Sequence, residues 1–248
     1  MGVAGETYLF TNEHVARAIN KNPIAHQLID GERATRVMNP FQVAEYPYDM
    51  ALSRIEREAW FIEKNMRLAL DVSQVAMRHH PVESEFLFVL GYSGQRSYFS
   101  PSFETLFTKG TPYLSLATEN SPEDPSDMWF AIPYLPDLAK SLRPQGAGLP
   151  VPHGLSGSPV WDTNFRRCML EERQWPPQES RVTGIVVRWS EATGHLIAVR
   201  AEYLREFLLN ALRCEAAYFR WIQRGRPEND ALADWVWAER SISVLAAD

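Results

Sequence analysis

Short apolar runs, separated by turn-forming residues, make up most of this chain. Residues 7–11 form one such run and predict a strand, with a helical turn after it over 15–18. Residues 31–38 and 41–44 read as strands about a turn at Asn39-Pro40. After the loop Tyr46-Pro47-Tyr48 the pattern alternates. Met50, Leu52 and Arg54 face one way and Ala51, Ser53 and Ile55 the other, so 49–55 is a strand. Residues 66–72 alternate in the same way. Residues 85–90 are a continuous apolar strand stopped by Gly91, and further strands are predicted over 111–118, 128–134, 181–189 and 195–199.

The intervals carry other signals. Residues 56–64 are polar around Trp60-Phe61-Ile62 and suit one helical turn, and 73–80 suits a short helix or loop before Pro81. Residues 119–127 and 136–152 are loops, the second holding Pro136, Pro144, Pro150 and Pro152. Residues 166–177 are charged and closed by prolines, an inserted loop. At 201 the period changes. Tyr203, Leu204, Phe207, Leu208 and Ala211 make a helical stripe that ends near Leu212. Residues 214–248 predict two short amphipathic helices broken at Gly225-Arg226-Pro227, and no segment repeats. The fold class is mainly β, with helices at the C-terminus.

Composition narrows the function classes. With 248 residues, 45% of them hydrophobic, the chain can bury the core of one large β domain or two small ones. A net charge of −6 argues against nucleic acid as a partner, because phosphate binding needs a basic face. No run of eighteen apolar residues predicts a membrane span. Met1 to Thr7 lacks the basic and apolar regions of a signal peptide, and Thr7 is out of register for a myristoylation start. Cys168 and Cys214 are too few for the disulfides of a secreted domain, which points to a reducing, cytoplasmic compartment. No His, Cys, Asp or Glu grouping has metal-ligand spacing, so no metal is expected.

Candidate chemistry centres on Pro152-His153-Gly154-Leu155-Ser156-Gly157-Ser158-Pro159-Val160. Gly154 can turn the backbone without a Cβ penalty, so its N–H and that of Ser156 can point at one spot and hold a developing oxyanion. Taken alone, the stretch could equally be a glycine-rich turn with an exposed serine. A nucleophilic serine needs a base, and the base needs an orienting group.

The loop resembles the nucleophile loop of trypsin-like, chymotrypsin-fold serine proteases, Gly-x-Ser-Gly-(Gly/Ser)-Pro-(apolar). Two further stretches are similar to motifs of the bacterial trypsin-like and HtrA-type members. Thr7-Tyr8-Leu9-Phe10-Thr11-Asn12-Glu13-His14-Val15-Ala16 resembles their strand-Thr-Asn-x-His-Val motif. Tyr46-Pro47-Tyr48-Asp49-Met50-Ala51-Leu52 resembles their Asp-x-Ala motif. The order His, Asp, Ser is the one this family uses. The resemblance implies His14 as general base, Asp49 as its orienting group, Ser156 as nucleophile, and the N–H groups of Gly154 and Ser156 as oxyanion hole. Gly91-Tyr92-Ser93-Gly94 matches the family's Gly-aromatic-Pro-Gly turn except at Ser93. Arg181-Val182-Thr183-Gly184-Ile185-Val186-Val187-Arg188-Trp189 resembles the strand that pairs with substrate.

The resemblance implies a bacterial serine endopeptidase of two six-stranded antiparallel barrels, over about 1–95 and 96–212, that needs no cofactor, and the helical extension over 213–248 lies beyond it. Only thirteen residues precede His14. Either the first barrel is incomplete, or the start lies upstream, or another segment fills the gap. His26, His79, His80, His153 and His195 compete with His14, and Asp30 and Asp71 with Asp49, but none sits in a matching motif. Pro150, His153, Val187 and Arg188 are expected to line the substrate cleft. Pro150 stands where trypsin carries its pocket aspartate, so a basic-residue preference is not supported, and the mostly apolar wall strand Val186-Val187-Arg188-Trp189 suggests a small or apolar residue before the scissile bond. Leu155 stands where secreted trypsins place the aspartate that receives the freed N-terminus, so control falls to a partner or to the cleft loops. The partner expected is a protein or peptide substrate, and residues 213–248 either pack on the protease body or dock a regulatory protein.

Two readings from other classes compete. One is the protease fold kept as a catalytically inactive binding or regulatory module. The other is an α/β-hydrolase esterase, which needs Gly-x-Ser-x-Gly before a helix. Ser158 and Pro159 disfavour it.

Overall fold

The computed structural model describes residues 2–3, 6–19, 25–26, 35–36, 40–55, 69–102, 105–117, 127–141, 148–228 and 230–246. The chain divides into two compact units, Met1–Ser73 with Leu204–Asp248, and Gln74–Tyr203. Both are built on antiparallel sheet, and helices close the chain, so the protein is mainly β.

The first unit holds a four-stranded sheet in the order β1 (Gly2–Val3), β2 (Glu6–Thr11), β6 (Met50–Ile55), β5 (Gln42–Ala44). A two-residue ribbon, β3 (Ala25–His26) and β4 (Thr35–Arg36), stands apart, and most of the strand expected over 31–38 lies outside the described residues. Helix α1 (Glu13–Ile19) follows β2 directly. The alternation read in 50–55 does not divide a wet face from a dry one, because every residue of β6 except Arg54 is buried. The core holds Tyr8, Leu52, Leu208, Ala211 and Leu212. The last three come from α3 (Ala201–Gln223), whose stripe covers β2 and β6. Glu215 of α3 accepts from the Tyr8 hydroxyl at 2.7 Å and pairs with Arg54 at 3.0 Å, so polar contacts flank the apolar ones.

The second unit is a six-stranded antiparallel sheet. Its order is β8 (Thr105–Leu116), β7 (Phe86–Ser100), β10 (Pro159–Asp162), β11 (Arg181–Ser190), β12 (His195–Arg200), β9 (Trp129–Pro133). Its core gathers Leu87, Val89, Phe130, Ile132, Tyr134, Val160, Val186, Leu196 and Ala198, with Leu155 of the serine loop among them. The two edges of this sheet meet through side chains. The hydroxyls of Tyr113 and Ser115 on β8 donate to the Pro133 carbonyl on β9, at 2.5 and 3.1 Å. Among the described residues no backbone ladder closes the sheet. Gly184 sits where a Cβ would lie 2.4 Å from the Val199 carbonyl oxygen and 2.6 Å from the Phe130 ring, so only glycine lets β11 pack there.

Four expectations change. Residues 69–72 of the strand predicted over 66–72 form a bend and the start of a 3₁₀ turn, while 66–68 lie outside the described residues. Gly91–Gly94 does not form the turn that the resemblance implies. It lies inside β7, which pairs with β8 as one long hairpin. The inserted loop over 166–177 contains a short helix, α2 (Phe165–Leu170), whose first N–H groups are held by the buried Glu85. The helical stripe does not stop at Leu212. Helix α3 runs on to Gln223, and α4 (Ala231–Ala246) follows after a break where Gly225 and Arg226 take positive φ. No helix among the described residues is long and apolar enough to cross a membrane.

Candidate active site

His14 is the second residue of α1 and Asp49 ends the turn before β6. The two meet because β2 and β6 are paired, with Thr11 opposite Ala51 at the end of the ladder. The Asp49 carboxylate takes the His14 main-chain N–H on Oδ1 at 3.0 Å and faces His14 Nδ1 with Oδ2 at 2.7 Å. A carboxylate only accepts, so Nδ1 carries the proton in this contact and Nε2 is left as the basic nitrogen. Among the described residues nothing engages Nε2.

Asp49 is held from behind. Its φ is +49°, in the left-handed region that Asp and Asn tolerate best after glycine. The amide of Asn12, fully buried, donates to the Asp49 carbonyl at 2.8 Å. The Asn12 carbonyl meanwhile accepts from Ala16 N–H and starts α1. Asn12 thus fixes both the helix that carries His14 and the turn that carries Asp49.

Ser156 lies in the second unit, between β9 and β10. Its loop is pinned by Leu155, 1% exposed and packed in the core, and by two bonds to β11. Gly157 N–H donates to the Val186 carbonyl at 2.8 Å and Val186 N–H to the Ser158 carbonyl at 2.9 Å. Leu155 therefore has a packing role, which fits an apolar residue there. Gly154 and Gly157 have φ of +94° and +84°. A Cβ on Gly154 would lie 2.8 Å from the Tyr92 carbonyl oxygen and 3.0 Å from Gly94 N. Among the described residues no acceptor takes the N–H of Gly154 or of Ser156. The Ser156 hydroxyl is half-buried and donates to the Val187 carbonyl at 3.3 Å.

The four expected cleft residues are placed around this loop in different ways. Val187 is buried at a bulge in the β11–β12 ladder, and its carbonyl is the acceptor for Ser156. His153 is exposed, its ring set edge-on to Trp189 at 5.6 Å. The Arg188 guanidinium lies over the Trp129 ring at 4.7 Å. Pro150 is buried, and its carbonyl accepts from the Tyr134 hydroxyl at 2.7 Å. Burial pushes that hydroxyl up to about 12, so Tyr134 stays a donor.

Of the competing histidines, His79 lies in the loop before Pro81, but its side chain is buried there. It stacks on Phe130 with centroids 3.8 Å apart, and its Nδ1 meets the Thr183 hydroxyl at 2.8 Å. Burial, aided by the charge of Arg200, pushes its pKa down to about 3, so it is a neutral core residue. His26 lies on β3, His80 in an exposed loop and His195 on β12. Asp30 lies outside the described residues, and Asp71 accepts from Ser73 N–H in a local turn. Sequence reasoning missed Asn12, Ser93, Gln95 and Tyr134. Asn12 was present in the quoted motif, while the other three act over long sequence separations. Cys168 and Cys214 are both free thiols.

Comparison with known proteins finds a family match at the end of the chain. Residues 215–243, from the second half of α3 through most of α4, match a family described as a protein of unknown function (DUF2934). None of the curated proteins matches the sequence.

Proposed function

We propose that this chain is a serine endopeptidase that cleaves peptide bonds through an acyl-enzyme. The observation that carries the reading is the double contact of Asp49 with His14, which fixes the ring and presents Nε2 as a base. In this reading Nε2 of His14 takes the hydroxyl proton as Ser156 Oγ attacks the peptide carbonyl carbon. The N–H groups of Gly154 and Ser156 hold the oxyanion. The C–N bond then breaks, His14 gives its proton to the leaving amine, and an ester on Ser156 remains. Water repeats the sequence, losing a proton to His14, and Ser156 leaves with that proton. No cofactor takes part. The reading also takes the two sheets as the two barrels of the chymotrypsin fold, supported in the second unit by the side-chain bridge between β8 and β9. Substrate is an extended peptide with a small or apolar residue before the scissile bond, and 213–248 serves a regulatory protein. The compartment is cytoplasmic.

One observation favours a second reading, a binding module on the same fold. The Ser156 hydroxyl is already engaged by the Val187 carbonyl. Fluorophosphonate labelling separates the two. The peptidase reading expects labelling of the wild type and none of Ser156→Ala or His14→Ala. A folded wild type that stays unlabelled favours the binding module.

A further inference from the structure

Residues 148–154 lead into the serine without a strand ladder of their own, and a chain in that position must find partners for its backbone groups. They come from a gap in the β7–β8 hairpin. Tyr92 pairs with Gly110, and the next pair is Ser97 with Thr108, so residues 93–96 bulge out against the single residue Lys109. Every residue of that bulge reaches the incoming chain. The Ser93 hydroxyl donates to the Val151 carbonyl at 2.8 Å, and the Gln95 side-chain oxygen accepts from Val151 N–H at 2.9 Å. Gly94 N–H donates to the His153 carbonyl at 2.9 Å, and Arg96 donates to the Gly148 carbonyl. Side chains two positions apart on one strand thus satisfy both backbone groups of Val151, in place of a neighbouring strand. Ser93 is itself fixed. It is fully buried, its hydroxyl accepts from Gln95 N–H at 3.2 Å, and its carbonyl accepts from the Ser97 hydroxyl at 3.1 Å. Gly154 then sits against Tyr92 and Gly94 with no room for a Cβ.

We infer that Ser93 and Gln95 are positioning residues that aim the Gly154 N–H, and that they set the rate of acylation at Ser156 rather than the affinity for substrate. This rests on the peptidase reading. A hydroxyl at 93 is then a working part, where the resembling proteases carry a proline. Displacing an oxyanion donor acts on the charge that develops during attack and leaves the encounter with substrate unchanged. Bulges beside active sites commonly aim a group in this way.

The test uses the full chain and a fluorophosphonate, with the maximal inactivation rate and the half-saturating concentration measured separately. Gln95 is exposed, so Gln95→Leu should fold normally. It is expected to lower the maximal rate roughly tenfold at unchanged half-saturation, the scale of one lost hydrogen bond. Gln95→Glu keeps an acceptor for Val151 N–H and should stay within about twofold of wild type. Ser93→Ala should fall as Gln95→Leu does. Hydrogen exchange over 151–157 is measured on the same proteins, and should quicken in Gln95→Leu and Ser93→Ala but not in Gln95→Glu. Wild-type rates and unchanged exchange in both deletions would overturn the inference, as would a change confined to half-saturation. An unlabelled wild type would sink the peptidase reading, and the exchange rates would then decide alone whether the bulge holds the loop.

Discussion

Asp49 grips His14 twice, through the ring at 2.7 Å and through the main-chain N–H at 3.0 Å. The second bond ties the carboxylate to the first turn of α1, so ring and helix are oriented by one group. This makes Asp49→Asn the informative substitution. Asparagine tolerates the φ of +49°, and its side-chain oxygen can still take the His14 main-chain N–H. Its amide then faces Nδ1 as a donor and turns the imidazole to the tautomer with its proton on Nε2. Folding should be unchanged, and fluorophosphonate labelling should fall on the order of 10⁴-fold. A variant labelled at the wild-type rate would mean that His14 is not the base.

Gly154 gives a second prediction. Its φ of +94° and the 2.8 Å approach of a notional Cβ to the Tyr92 carbonyl oxygen leave alanine no comfortable place. Gly154→Ala is expected to cost about 1–3 kcal/mol in urea unfolding and to abolish labelling, because the peptide must rotate away from its seat. Gly148 meets nothing within 4 Å, so Gly148→Ala should leave both readouts near wild type.

What the sequence made legible follows from the range of each interaction. The strands β2, β6, β11 and β12 were readable because apolar runs bounded by turns are local signals. The meeting of His14 with Asp49 was implied by motifs flanking two strands that pair. The β7–β8 hairpin was not readable at its true length. Residues 91–100 are polar, aromatic and glycine-containing, half of them exposed, and so carry no clear period. Ser93 stood out in the sequence only as a departure from a motif. Its partner Val151 lies 58 residues away, and nothing local announces such a bond. The burial of His79 depends in the same way on Phe130 and Thr183, and α2 on Glu85.

Glu85 yields a prediction about stability alone. It is fully buried, and its carboxylate takes the N–H groups of Phe86, Arg166 and Arg167 and the Thr163 hydroxyl, at 3.0–3.1 Å. Four donors and no solvent leave no place for an amide NH₂. Glu85→Gln should lower stability by about 2–3 kcal/mol in urea unfolding, since it removes charged acceptors and buries a donor without a partner. The exposed Glu83→Gln, two residues away, should change it by less than about 0.5 kcal/mol. Equal effects of the two would show that the network around α2 is not what the geometry says.

His79 makes the last prediction, on pH. Burial and Arg200 lower its pKa from 6.5 to about 3 in the folded chain. The unfolded chain binds the proton near 6.5 and the folded chain does not, so falling pH favours unfolding. The contribution is fully present above about pH 6.5 and is lost progressively down to about pH 3. At pH 5 the loss from this group should be about 2 kcal/mol, at 1.36 kcal/mol per pH unit. His79→Phe keeps a ring to stack on Phe130 and cannot titrate. Urea unfolding of wild type and His79→Phe at pH 7.5 and pH 5 isolates the term, because every other titrating group is common to both. Wild type should lose about 2 kcal/mol more than the variant between the two pH values. Equal losses would place a proton on the buried imidazole and contradict its contact with Phe130 and Thr183 as described.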